Sequence, residues 1–216
     1  DILIVSGKGH AGHFLELLGQ GRHLGVRLVY EVQEKALGVA HALALAEDFA
    51  DGDSVAVMLG DNIFQDIAGL QRGVARFKRQ KRGAKIFVYP TEEVHRFGVA
   101  EVKNKKVVSI EEKPEKPKSN LAITGFYLFD RNVFGCIKRL KPSKRGEYEI
   151  TDVQRLYMKK GILDYDVVKK GWSDSGTFDS LLRAGMIAAG FKEFSPAIRF
   201  LDNRMKKIGA RLRREE

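Results

Sequence analysis

The chain has 216 residues, 44% hydrophobic and 31% charged, with five prolines and a formal net charge of +10. That suits a sizeable core in one or two compact domains and excludes a disordered chain, while the positive balance admits polyanions, nucleotides and phosphorylated metabolites without choosing among them. A single cysteine, Cys136, excludes an internal disulfide, and no run of about 18 apolar residues marks a membrane span, so a reducing, cytoplasmic setting is expected.

Asp1 is followed at once by a strand-like Ile2-Leu3-Ile4-Val5, with neither an initiator methionine nor a signal-peptide pattern, which reads as a chain whose beginning is missing. Apolar, β-branched runs recur at 2–5, 26–30, 55–59 and 85–89. The intervals have helical spacing: Ala11, Phe14, Leu15 and Leu18; then Val39, Leu43, Ala46 and Phe49; then Ile67, Leu70 and Val74 ahead of the basic 76–79 run. Runs that are apolar throughout predict strands of a parallel sheet covered on both faces, hence a doubly wound first half. Alternating residues at 98–102 and 107–110 around Lys103-Asn104-Lys105 predict a hairpin where the sheet turns antiparallel. A strand is expected at 123–129, and helices at 133–140, 149–160 and 178–189, the last with Leu181, Leu182 and Met186 on one side. With no repeat or flexible linker, residues 1–191 read as one α/β domain and 192–216 as a basic tail, a solvated face rather than a nucleic-acid arm.

Several residues carry chemistry that local sequence leaves open. Asp61, in Gly60-Asp61-Asn62, closes a predicted strand where ligands enter a parallel sheet; it reads as a metal carboxylate or as a turn. Asp174 lies in the small-residue loop Trp172-Ser173-Asp174-Ser175-Gly176-Thr177, with Thr177 placed to cap the next helix; it is a second carboxylate or part of an ordinary turn. If the two meet, they suit one divalent ion such as magnesium (Mg2+), which takes hard oxygen ligands and often only one or two protein carboxylates. Glu112-Lys113 sits at the end of a predicted strand just before Pro114, so the lysine can be held close to backbone; the pair could bind hydroxyls and phosphate, or be a surface pair. Arg145 could fork onto a phosphate or be an exposed loop arginine. His10 and His13 lack a nearby third ligand, no Gly-x-Ser-x-Gly elbow is present, and Ser6-Gly7-Lys8-Gly9-His10 matches neither standard phosphate loop.

Taken in order, these segments resemble a known family. Gln33–Ala42, Leu59–Phe64, Arg96–Val99, Glu111–Pro114, Ser119–Tyr127, Arg145–Asp152 and Trp172–Thr177 are similar to motifs of the glucose-1-phosphate thymidylyltransferases, or dTDP-glucose pyrophosphorylases, within the sugar nucleotidyltransferases. The resemblance runs from Asp1 to about Phe191. It implies a Rossmann-like nucleotidyltransferase core with a mixed sheet and a sugar-binding region. It implies Gln33 and Gly38 at the nucleotide base, Asp61 and Asp174 on magnesium, and Gly98, Glu112, Ile123 and Thr124 lining a sugar pocket with Tyr127 close by. Lys113 and Arg145 would hold the phosphate of glucose 1-phosphate, with Lys113, Arg145, Asp61 and Asp174 as the catalytic set. The implied reaction is attack of that phosphate on the α-phosphorus of dTTP, releasing pyrophosphate, in supply of deoxysugars such as rhamnose. Family members also have a first strand and a G-G-x-G-T-R-L-x-P-x-T loop, absent here, so the chain as it stands is expected to be short of turnover. A UTP-dependent enzyme, a non-catalytic nucleotide-sugar-binding module and a basic nucleic-acid-binding protein are the competing readings. By analogy the partners are dTTP and glucose 1-phosphate, with a homo-oligomer and neither nucleic acid nor membrane.

Overall fold

A computed structural model describes residues 1–80 and 82–190. The chain opens with β1 (Ile2–Gly7), α1 (Ala11–Leu18) and β2 (Leu28–Gln33), the two strands forming a parallel pair of their own. Next come α2 (Val39–Ala44), α3 (Glu47–Ala50), β3 (Val55–Met58), β4 (Asn62–Phe64), α4 (Ile67–Lys78) and β5 (Ala84–Pro90). The hairpin β6 (Gly98–Lys103) and β7 (Lys106–Glu112) leads to the nine-residue β8 (Leu121–Phe129). Then follow α5 (Val133–Ile137), α6 (Ile150–Lys159), β9 (Leu163–Val167), β10 (Trp172–Asp174) and α7 (Phe178–Ala188).

The main sheet is built around β8. One edge of β8 takes β5 along its length, and the other takes β3 and then β6, all antiparallel; β9 adds to β5 in parallel. The expected parallel, doubly wound arrangement of the first-half strands is therefore corrected. β3 and β5 do run in one direction, but β8 lies between them. Both faces of β5 are covered, as its continuous apolar run requires: Ile86 and Val88 join the core under α2, α5 and α6, while Phe87 joins the core under α4 with Leu70 and Phe77; on β3, by contrast, Ala56 and Met58 are exposed. An apolar run carries no information on strand direction.

The predicted hairpin forms, with Asn104 at φ 50° and Lys105 at φ 60°, the two left-handed residues of a tight primed turn. Two helical expectations change. The 39–49 stretch divides into α2 and α3, and α1 buries no residue, its Phe14 and Leu15 being 40% and 51% exposed. Thr177 caps α7 as expected, within a full capping box shared with Ser180. The proposed boundary at Phe191 and the basic segment 192–216 lie outside the described residues. Among the described residues no helix is long and apolar enough to cross a membrane.

Asp130, buried just beyond β8, joins three elements: it accepts from the Gly83 N–H and the Tyr157 hydroxyl, each at 2.6 Å, and from the Asn132 N–H at 3.0 Å. Hydrogen bonds to a charged group contribute about 1.5–3 kcal/mol each. Tyr157→Phe, which removes one of them without a change of shape, is expected to lower unfolding stability by about that amount in urea denaturation.

Candidate active site

The ends of β4, β6, β7, β8 and β10 converge on one cavity of about 250 Å³. That is a little below the usual range of ligand pockets, about 300 to 1,000 Å³. Alternate residues of β8, namely Ile123, Gly125 and Tyr127, face it, as strand periodicity dictates. Thr124, expected beside Ile123 in the pocket, is instead fully buried, donates to the Phe87 carbonyl at 2.9 Å, and is not among the lining residues.

The two predicted carboxylates come together at this cavity. β10 pairs antiparallel with β4, bringing Asp174 opposite Asn62 and thus next to Asp61, and both aspartates line the cavity. Asn62 Nδ2 donates to Asp61 Oδ1 at 2.7 Å, and the Ser175 hydroxyl donates to the Asp61 carbonyl at 3.1 Å. Asp174 is 8% exposed and receives Arg96 Nη2 on Oδ2 at 2.6 Å. Among the described residues no three His, Cys, Asp or Glu side chains cluster as a metal cage, and His10 and His13 stand 6.3 Å apart, ring to ring. As a donor set, two carboxylates with room for water and phosphate suit a hard divalent cation better than zinc.

Glu112, also at the cavity, ends β7 and accepts from the Thr151 hydroxyl at 3.0 Å. Burial pushes its carboxyl above the usual carboxylate range, and the nearby Glu149 charge adds to this against the opposing Thr151 hydrogen bond. Burial, and then the Glu112 and Asp61 charges, push the Tyr127 phenol far up, so that it stays a neutral hydroxyl. Lys113 lines the cavity with its N–H bonded to the Phe97 carbonyl at 3.0 Å. Its φ is 41°, left-handed rather than the extended backbone expected before Pro114; a non-glycine residue held there carries strain of about 1–3 kcal/mol.

Arg145 is held by carboxylates rather than being a free loop arginine: Nη2 meets Glu147 at 2.9 Å, and Nη1 meets Glu149 at 3.4 Å and Glu112 at 3.6 Å. Around the cavity, five carboxylates (Asp61, Glu112, Glu147, Glu149, Asp174) face three cations (Arg96, Lys113, Arg145), an acidic surplus that favours a divalent cation.

Gly98 lines the cavity as expected, but Gln33 and Gly38 are not among the lining residues. The Gln33 amide donates to the Gly38 carbonyl at 3.1 Å and lies 2.9 Å from His41 Nδ1. Gly38 has φ 95°, and a Cβ there would stand 2.7 Å from the Tyr148 carbonyl oxygen. Glycine is thus required for the close pairing of this loop with Tyr148, whose carbonyl accepts from Ala40 and whose N–H donates to Leu37. Sequence reasoning assigned no role to Arg96, Asn62, Glu149, Thr151 or Trp172. All five line the cavity and all lie inside the motif segments.

A family described as nucleotidyl transferase matches residues 1–189. The glucose-1-phosphate thymidylyltransferase of Neisseria meningitidis is 40% identical over 187 residues, covering 85% of this chain and 65% of that protein. The enzyme of the same name from Mycolicibacterium smegmatis is 43% identical, covering 85% and 64%. The chain thus spans a little under two thirds of the length of these curated relatives. A Bacillus anthracis structure, provisionally named glucose-1-phosphate thymidylyltransferase and solved with a sucrose, is 46% identical with a TM-score of 0.83, covering 92% of this chain and 80% of its own. A UDP-glucose pyrophosphorylase complexed with UDP-glucose, 23% identical with a TM-score of 0.72 over 88% of this chain and 80% of its own, shares the fold.

The raised Glu112 pKa makes a signed prediction. A carboxyl whose pKa is higher in the folded state binds protons preferentially there, so its stabilising contribution is complete below the ordinary value of 4.5 and is lost as pH rises through the raised value. Glu112→Gln, which keeps an acceptor for Thr151, is therefore expected to melt above the unsubstituted chain at pH 8. The gap should shrink as pH falls toward 4.5, followed by thermal denaturation across pH.

Proposed function

The chain belongs to the nucleotidyl transferase family, and from that premise we propose that it serves transfer of a thymidylyl group from dTTP to glucose 1-phosphate, giving dTDP-glucose and pyrophosphate. The reading is carried by one observation: Asp61 and Asp174 share a single cavity with Glu112, Lys113 and Arg145. A sugar-phosphate oxygen forms a bond to the α-phosphorus of dTTP while the bond to the pyrophosphate oxygen breaks. No covalent enzyme intermediate and no nucleophilic side chain are needed. Positioning and charge neutralisation therefore supply the rate.

In this reading Glu112 receives sugar hydroxyls, with Thr151 holding its Oε2 and burial keeping competing water away. The neutral Tyr127 hydroxyl and the small Gly98 shape the same end of the cavity. Lys113 and Arg145 bind the sugar phosphate, Arg145 exchanging its two long contacts, to Glu112 and Glu149, for phosphate oxygens while Glu147 keeps the other end of the fork. Asp61 and Asp174 would hold magnesium, which when bound neutralises charge on the reacting phosphates. Gln33 is proposed at the thymine edge, where its amide would give up its bonds to Gly38 and His41 for the base. Uracil presents the same edge, so dTTP over UTP is the finer part of the proposal.

The test joins binding to turnover. Glucose 1-phosphate should bind this chain by calorimetry, and Arg145→Met should weaken it by at least about tenfold, as loss of a charge-assisted fork implies. Pyrophosphate release with dTTP and magnesium, measured on the chain with a relative's first strand and G-G-x-G-T-R loop grafted ahead of Asp1, should fall about 10²–10³-fold in Asp61→Asn and in Asp174→Asn. Release with UTP but not dTTP would make the enzyme a uridylyltransferase. A chain that binds no sugar phosphate would overturn the reading.

A further inference from the structure

Behind Asp174 lies a row of ion pairs drawn from three parts of the chain. Arg183 of α7 donates to both oxygens of Glu93, Nη1 to Oε1 at 3.3 Å and Nη2 to Oε2 at 2.8 Å. Glu93 Oε2 also accepts from Arg96 Nη1 at 3.0 Å, and the other end of the Arg96 fork, Nη2, meets Asp174 Oδ2 at 2.6 Å. The four charges alternate in sign from helix to cavity wall. Only Arg96 and Asp174 line the cavity itself. The side chains are a third exposed or less, 23% for Arg183, 33% for Glu93, 24% for Arg96 and 12% for Asp174. Charges so partly withdrawn from water act on one another several-fold more strongly than in bulk water.

We propose that Arg183, Glu93, Arg96 and Asp174 form a charge relay that sets how strongly Asp174 holds a divalent cation, with Arg96 competing for the carboxylate and Glu93 restraining Arg96. The inference rests on the reading of Asp61 and Asp174 as metal carboxylates. A guanidinium on Oδ2 lowers the negative potential that a second cation meets at the same group. Glu93 draws part of that guanidinium's charge toward itself, and Arg183 in turn draws on Glu93. Each removal along the row should therefore reverse the sign of the one before it. A merely structural network would behave otherwise, because loosening any member would disorder Asp174 and weaken the site every time.

The chain carries its own reporter. Trp172 is the one tryptophan in the sequence; its Nε1 donates to Asn62 Oδ1 at 2.8 Å, and Asn62 donates to Asp61, so the indole stands two hydrogen bonds from a metal carboxylate. Magnesium alone is titrated into the chain, followed by Trp172 fluorescence and by calorimetry. Arg96→Met should tighten binding by on the order of tenfold, Glu93→Gln should weaken it by about three- to tenfold, and Arg183→Met should tighten it by about threefold. If Arg96→Met fails to fold by circular dichroism, the opposite signs of Glu93→Gln and Arg183→Met carry the test. Asp61→Asn separates the two levels of the argument. Lost binding in Asp61→Asn with relay variants that all shift one way, or not at all, overturns the relay and leaves the metal reading intact. An unsubstituted chain that binds no magnesium, or an Asp61→Asn chain that binds it unchanged, overturns the metal reading and the relay together.

Discussion

The site depends on one side-chain amide. Asn62 Oδ1 accepts from the Gly125 N–H and from Trp172 Nε1, each at 2.8 Å, and Nδ2 donates to Asp61 Oδ1. One residue thus links the middle of β8, the start of β10 and Asp61. The joint closes only because Gly125 has no Cβ, which would stand 2.6–2.7 Å from the Asn62 amide atoms. β10 is three residues long, too short to set its own position against the sheet, so the amide supplies what its few ladder bonds cannot. Its neighbours complete the seating: the Trp172 ring lies against Phe97 at 5.0 Å and Tyr89 at 5.6 Å, joining β10 to the elements on which Arg96 and Gly98 stand.

A second constraint is charge. Burying Glu112 and Asp174 in one cavity is costly unless each has a partner, and the structure meets this with hydroxyls and guanidinium groups rather than with water alone. Arg145 spans three glutamates with one short contact and two long ones, a geometry that holds the guanidinium in place while leaving one end exchangeable. Lys113 is held by its backbone instead, through a left-handed φ and a bond to the Phe97 carbonyl, so the same hairpin end that carries Glu112 carries the lysine in a set direction. Strain of this kind persists where surrounding structure over-determines it, here by the β6–β7 ladder on one side and Pro114 on the other.

Local rules were readable where a residue's neighbours in sequence are its neighbours in space. The Asn104 turn and the Thr177 cap depend on contacts within a few residues, and both formed at the expected positions. Strand direction failed because an apolar run reports burial and not the direction of its neighbours, and β8, inserted between β3 and β5 from far along the chain, leaves no mark on either run. Lys85 shows the same limit from the other side. A lysine inside a predicted core strand is fully buried because Asp164 and Asp166, about eighty residues on, pair with it from β9.

The sequence by itself determined the chemistry on offer and the family it belongs to. Carboxylates at 61, 112 and 174, a lysine at 113 and an arginine at 145 stand in short ordered motifs whose side chains were legible without coordinates. Tertiary structure alone decided which of them meet. The pairing of β10 with β4 joins Asp61 to Asp174 across more than a hundred residues, while the alternation along β8 turns Ile123 and Tyr127 into the cavity and leaves Thr124 in the sheet. It also decided the partners, Arg96 on Asp174 and Thr151 on Glu112, because a hydrogen bond over 2.6–3.0 Å is set by how strands and helices pack, and no local pattern encodes that distance.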